Sequence, residues 1–282
     1  MDTPQAQTIA APEQVRTAWD AIATGFDEHL TPLNITHGDD VLRHAGLTAG
    51  MRFLDVGAGS GALAIPAARA GAQVVATDIS PAMIERLAWR VRDERLGNLH
   101  ARVMDGHALQ FGDGAFDFAA SQHGVSLFGD IDRGLRELVR VTRPGGRVVI
   151  VAFGPPPRAE FLTFFLGALH AAIPGFTGPP MDPPPLPFQV ADPDAFTAKL
   201  TGAGLSDVAV EPVVWSTPFE SATHLWQVAK ASNPIGAQLV GGLTEAQESD
   251  AVRVLDGMLR ERSGGSPDAL LHTAINVGTG TA

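Results

Sequence analysis

The chain has 282 residues, with 31 acidic against 20 basic side chains and a formal net charge of −11, a balance that argues against nucleic acid as the main partner. It contains no cysteine, which excludes disulfides, thiolate metal sites and a cysteine nucleophile. An apolar content of 45% is enough for a real core, and the length suits one core domain of about 200 residues with insertions. The sequence shows no basic leader followed by an apolar core and no run of about 18 apolar residues, so a soluble, unprocessed, cytoplasmic protein without a membrane span is expected.

Residues 1–11 are small and polar and read as a loose tail. Pro12 to about Leu30 has helical spacing, with Val15, Trp19, Ile22, Phe26 and Leu30 along one stripe, and Asp39 to Ala45 reads as a second helix stopped at Gly46. From Met51 the pattern alternates: strand 51–56, a glycine turn, helix 60–70, strand 73–77, helix 81–95, strand 99–103. Strand 116–121, helix 130–141, the turn Arg143-Pro144-Gly145-Gly146 and strand 147–153 follow. Strands alternating with helices of this length imply a doubly wound, Rossmann-like α/β fold with a mostly parallel sheet.

The second half interrupts that rhythm twice. A proline-rich stretch from Pro155 to Pro187 flanks one apolar helix, and 221–262 is mostly helical with breaks at Asn233-Pro234 and Gly241-Gly242. A helix at 192–202, a strand at 207–217 and a last strand near 270–278 resume the core. The expected parts are an N-terminal helical cover (1–46), a core made of 47–154, 191–220 and 268–282, and substrate-cover insertions at 155–190 and 221–267.

Phe53-Leu54-Asp55-Val56-Gly57-Ala58-Gly59-Ser60-Gly61 is an apolar strand entering a glycine-rich turn, and a second strand ends at Asp78. Together they describe a nucleoside pocket in which Asp78 accepts two ribose hydroxyls. With Ala62 as the third small residue the turn also satisfies a dinucleotide fingerprint, which leaves an NAD(P)-dependent oxidoreductase open. Asp55, two residues before Gly57, would repel a pyrophosphate but could hold a ligand ammonium, directly or through water. Asp105 places a third acid after the third strand, and the absence of tyrosine removes the Tyr-x-x-x-Lys pair of one oxidoreductase group.

With the Asp78-Ile79-Ser80-Pro81-Ala82-Met83 run, Asp105-Gly106, Phe116-Asp117-Phe118 and Arg143-Pro144-Gly145-Gly146 in order, the chain resembles class I S-adenosylmethionine-dependent methyltransferases. The nearest group is the small-molecule one that includes ubiquinone and menaquinone biosynthesis enzymes. The resemblance covers roughly 50–155 well. It implies a seven-stranded sheet with the last strand antiparallel, S-adenosyl-L-methionine as cofactor, S-adenosyl-L-homocysteine as product, and no metal. It further implies that Gly57, Ala58, Gly59 and Gly61 pass under the methionine and ribose, with Asp55 a longer-range neighbour of the methionine amine. Asp78 would bind the ribose, Ile79 and Met83 would face the adenine, and Asp105, Gly106 and His107 would border that ring. Ser121, Gln122 and His123 would lie near the sulfonium, with His123 the candidate base and His29, His37 and His170 weaker ones.

Apolar side chains in the covers and the later strand (Phe161, Phe164, Phe165, Leu166, Leu169, Phe176, Phe188, Trp215, Leu225, Trp226) point to a small apolar or aromatic acceptor, methylated on O, N or C. They could equally form the covers' own core. A cofactor-binding member without turnover stays open beside the enzyme, as does a homodimer.

Overall fold

The computed structural model describes residues 11–282; the expected tail falls, apart from Ala11, outside them. Its strands are β1 (Arg52–Val56), β2 (Gln73–Asp78), β3 (Leu99–Val103), β4 (Phe116–Gln122), β5 (Thr142–Phe153), β6 (Ser206–Phe219) and β7 (Ala269–Thr281). They form one sheet in the order β3-β2-β1-β4-β5-β7-β6. β7 alone runs antiparallel, to β5 on one side and β6 on the other, as the resemblance implied. β4 and the second half of β5 are buried along nearly every residue, the mark of strands covered on both faces.

One face packs against α2 (Thr31–His44), α3 (Ala64–Arg69) and α4 (Pro81–Asp93) through Val41, Leu42, Ile65, Leu87, Phe53 and Phe118. The other packs against α5 (Ile131–Val141) and α7 (Pro193–Gly202) through Leu135, Leu138, Phe196 and Leu200. A third cluster joins α6 (Glu160–Ala172), α8 (Ala222–Ala231) and α10 (Glu245–Ser263), with Phe165, Leu169, Leu225, Trp226, Leu255 and Leu259 at its centre. Leu30 and Leu33 of the N-terminal segment pack onto it. Phe165, Leu169, Leu225 and Trp226 are therefore core residues of the helical layer. Among the described residues no helix is long and apolar enough to cross a membrane.

Three local expectations change. Instead of one helix over 12–30 and another over 39–45, α1 (Pro12–Gly25) runs through a π-helical turn (Phe26–Leu30) into α2. Pro32 follows directly on that turn and lacks the N–H that would continue its bonding, which suits an irregular junction between the two helices. The helix expected at 60–70 begins only at Ala64, because Gly59 and Gly61 take φ of 52° and 111°, outside the right-handed helical region. The Pro-Gly-Gly turn is absorbed into β5: the Gly145 N–H donates to the Ala282 carbonyl and the Ala282 N–H to that of Gly146. Asp117 fastens this end of the sheet, pairing with Arg52 at 2.9 Å and Arg143 at 2.8 Å. Those guanidiniums hold its carboxyl well below the usual carboxylate range.

Candidate active site

The glycine turn is built by a crossing of two backbones. Gly57 (φ 69°) lies so near Gly124 that a β-carbon on it would stand 2.8 Å from the Gly124 Cα, closer than packed carbons approach. Ser121 staples the crossing: its hydroxyl donates to the Val56 carbonyl at 2.6 Å and accepts from the Val125 N–H at 2.8 Å. Ser121 is fully buried, and its hydrogen bonds are committed inside the protein. The Gly57 and Ala58 amides both donate to the Thr77 carbonyl, at 2.8 and 2.9 Å, which fixes the turn against the end of β2.

Asp78 is held by the same turn. Its Oδ2 accepts from the Gly59 N–H at 2.8 Å and its Oδ1 from the Ser80 N–H at 2.9 Å. A carboxylate offers about four lone-pair sites, so these amides leave it further acceptor capacity. Burial raises the affinity of Asp78 for a proton, the Ser80 and Gly59 amides oppose this, and the nearby Asp20 adds to it.

Asp55, one strand over, is 1% exposed, and its Oδ2 has no hydrogen-bond partner. Burial pushes its carboxyl up to about 8, against the Ala64 amide and with help from the charge of Asp78. A buried carboxylate with an unpartnered oxygen is costly, so burial favours the neutral form of Asp55.

Asp105 is drawn into its own turn. Its Oδ1 accepts from the His107 N–H at 2.9 Å and lies 2.8 Å from His107 Nδ1. The His107 ring packs on Phe128 with centroids 4.4 Å apart, and Phe128 also fills the space beside Gly106, 2.5 Å from where a β-carbon would lie. Ile79 is half-buried and Met83 fully buried, Met83 through its place in the first turn of α4, where its N–H donates to Ser80 Oγ.

The N-terminal helices close over these elements by contacts that sequence spacing does not announce. Asp20 accepts from the Ser80 hydroxyl at 2.5 Å and the Ala82 N–H at 3.1 Å, capping α4 next to Asp78. Asp27 pairs with Arg90 at 2.7 Å in a mostly buried contact. The Thr31 and Ser60 hydroxyls are hydrogen-bonded and fully buried, and Phe26 sits against Gly59.

On the α2 side of the strand ends, His123 adopts φ 55°. A non-glycine residue is uncommon there, and such strain gathers at functional sites. Its ring stacks on Phe153 at 4.3 Å and meets Trp215 edge-on at 5.6 Å, while His37 of α2 lies parallel to Trp215 at 4.2 Å. Burial, and secondarily the neighbouring His37, push the His123 imidazole down to about 3, and its Nδ1 is buried without a partner. Gln122 donates from Nε2 to the Asn34 carbonyl at 3.2 Å and leaves Oε1 buried and unpartnered. The structure thus gathers the glycine turn, Asp55 and Asp78 on one side and His123 with His37 and Trp215 on the other. His170 lies away from this group, exposed and edge-on to Phe176. Asp20 and Phe128 carry no motif, and Phe26 is marked in the sequence only by its place on the apolar stripe of the N-terminal helix.

A family model described as a methyltransferase domain matches residues 54–150. An uncharacterized protein of Mycobacterium tuberculosis is 36% identical over 155 residues, covering 54% of this chain and 55% of that protein; the chain thus spans about half the length of the first curated relatives it matches. A demethylmenaquinone methyltransferase of Corynebacterium kroppenstedtii is 33% identical over 169 residues, covering 58% of this chain and 70% of that enzyme. In three dimensions the YcgJ protein of Bacillus subtilis superposes with a TM-score of 0.56 over 88% of this chain and 99% of its own, at 17% identity, a likeness of fold. With the seven-stranded order, the glycine turn and the acids at the ends of β1, β2 and β3, the chain belongs to the class I S-adenosylmethionine-dependent methyltransferases.

Proposed function

We propose that this protein binds S-adenosyl-L-methionine in the glycine turn and transfers its methyl group to a small apolar or aromatic acceptor. The observation that carries the reading is Asp55, a buried carboxyl with an unpartnered oxygen close enough to Asp78 to feel its charge. A methionine ammonium supplies the cation that would let this acid ionise, whereas a dinucleotide pyrophosphate supplies none and would oppose its ionisation. The residues fit the rest of the group: Asp78 keeps acceptor capacity for the ribose hydroxyls, and the acidic surroundings suit a sulfonium.

S-adenosyl-L-methionine supplies a methyl group on a cationic sulfur that leaves as a neutral thioether, the electrons of the broken carbon–sulfur bond staying on sulfur. What the protein contributes is position and dryness. Asp20, Asp27 and Thr31 tie the N-terminal helices over the turn, and His123 with Gln122 marks the place of the acceptor. An imidazole held near 3 is a poor base toward a free hydroxyl. It is adequate for the far more acidic proton of a hydroxyl oxygen that has just gained a methyl group. His123 is accordingly the proposed proton acceptor.

Calorimetric titration with S-adenosylhomocysteine and, separately, NAD tests the donor. Binding of the first and not the second is expected; heat only with NAD rejects the reading. A screen of apolar hydroxyl compounds for S-adenosylhomocysteine release then addresses the acceptor.

A further inference from the structure

We propose that His37, His123, Phe153 and Trp215 form the acceptor's binding surface, and that it takes a flat, uncharged aromatic ring carrying a hydroxyl that donates a hydrogen bond into the protein. Its role in catalysis rests on the methyl-transfer reading above; the binding of such a ring does not.

The four rings come from four separate elements, α2, the residue after β4, the end of β5 and the middle of β6, and each is half-buried. His123 stacks on Phe153 and His37 on Trp215, with the two pairs joined at the edge-on contact of His123 and Trp215. Phe161 and Phe188 extend the aromatic wall from Phe153, at 6.2 and 5.8 Å. Such rings favour another flat ring by stacking or edge contact. Apolar packing alone would need no polar atoms here, yet Gln122 Oε1 and His123 Nδ1 are both buried with nothing to bond. Gln122 is 8% exposed, and its Nε2 is committed to Asn34, so the oxygen left over only accepts. An orphaned buried acceptor calls for a donor, and a hydroxyl on the ring supplies one.

The charge of the ligand follows from the same surroundings. Both imidazoles have lowered proton affinity through burial, and the one acid acting on them, Asp40, is engaged with Arg43 at the surface. Among the described residues, no other acid acts on either imidazole to pair with an ammonium, and burial disfavours a charged imidazole that would pair with a carboxylate.

The test is calorimetric titration of the full chain, with and without saturating S-adenosylhomocysteine, using three probes: 2-naphthol, 2-methoxynaphthalene and a naphthyl trimethylammonium salt. 2-Naphthol should bind, the methoxy compound about tenfold more weakly for want of a donor, and the ammonium more weakly still. Trp215→Ala should weaken 2-naphthol about tenfold and leave S-adenosylhomocysteine affinity unchanged. Gln122→Met should abolish the preference for 2-naphthol over its methyl ether. Retained S-adenosylhomocysteine binding also shows that each variant folds. If S-adenosylhomocysteine binds but 2-naphthol does not, if Trp215→Ala has no effect, or if the ammonium binds best, the proposal is overturned. Failure of S-adenosylhomocysteine to bind overturns the donor reading alone, because the naphthol titration without it still decides this surface.

Discussion

The ring of Phe26 stands 3.3 Å from the point where a β-carbon on Gly59 would lie, so the N-terminal layer meets the glycine turn at a residue with no side chain to move aside. Gly59 also sits at φ 52° and donates its N–H to Asp78. Gly59→Ala therefore adds backbone strain and a crowded contact at once, at a cost of about 1–2 kcal/mol. A lowered melting temperature together with weaker S-adenosylhomocysteine binding is expected. A variant as stable as the parent would mean that the cover does not press on the turn.

Asp78 accepts one amide on each oxygen, which presents its remaining lone pairs in a fixed direction. Asp78→Ala releases the turn and removes the acceptor proposed for the ribose, and should weaken S-adenosylhomocysteine by about 2–4 kcal/mol. Unchanged affinity by calorimetry would show that the ribose is held elsewhere.

What the sequence revealed of this site is what short-range chemistry dictates. A strand ending at Asp55, glycines forced to positive φ, and a second strand ending at Asp78 need only their own neighbours to be recognised. Ser121 shows the opposite case: its position beside the strand end is legible, but the Val56 carbonyl that accepts its hydrogen bond belongs to another strand. The Pro-Gly-Gly run reads as a turn because its partner, the main chain of Ala282, lies at the far end of the sequence. For the same reason the stacking of His37 on Trp215, set by how α2 crosses the strand ends, leaves no periodic trace, and Asp20 has no mark that it caps α4.

The Asp27–Arg90 pair fixes the π-helical turn to α4, with side chains only 7% and 18% exposed; Arg90 also donates to the Asp27 carbonyl at 2.9 Å. Removing one partner of such a pair leaves a buried charge uncompensated. Asp27→Ala should lose about 3 kcal/mol of stability by denaturant unfolding, and Asp27→Asn less. A loss within experimental error would show that the Asp27–Arg90 pair does not dock the cover.

His123 is held neutral by burial, with its proton affinity down to about 3 against about 6.5 in the unfolded chain. Between those values the unfolded state binds more protons, so the histidine makes stability rise with pH across roughly 3 to 6.5 and adds no pH dependence above it. Activity should accordingly show no limb near 6.5 that belongs to this residue. His123→Asn, which tolerates the left-handed backbone, should lower turnover more than S-adenosylhomocysteine affinity. An acid limb near 6.5 that disappears in His123→Asn would mean that the imidazole is open to protonation.

Asp55 carries the opposite sign. Its folded value of about 8 lies above the unfolded one of about 3.9, so between them the native state holds the extra proton and ligand-free stability falls as pH rises. Asp78, shifted in the same direction by burial, adds to that slope. A cation placed against Asp55 favours its ionised form, so binding near pH 7 should expel up to about one proton. Titrating S-adenosylhomocysteine in phosphate and in Tris, whose ionisation enthalpies differ, should give apparent binding enthalpies that differ accordingly, and Asp55→Asn should remove the difference. Identical enthalpies in both buffers for the unaltered protein would show that the ligand ammonium does not ionise Asp55, and the observation that separates a sulfonium donor from a dinucleotide would lose its force.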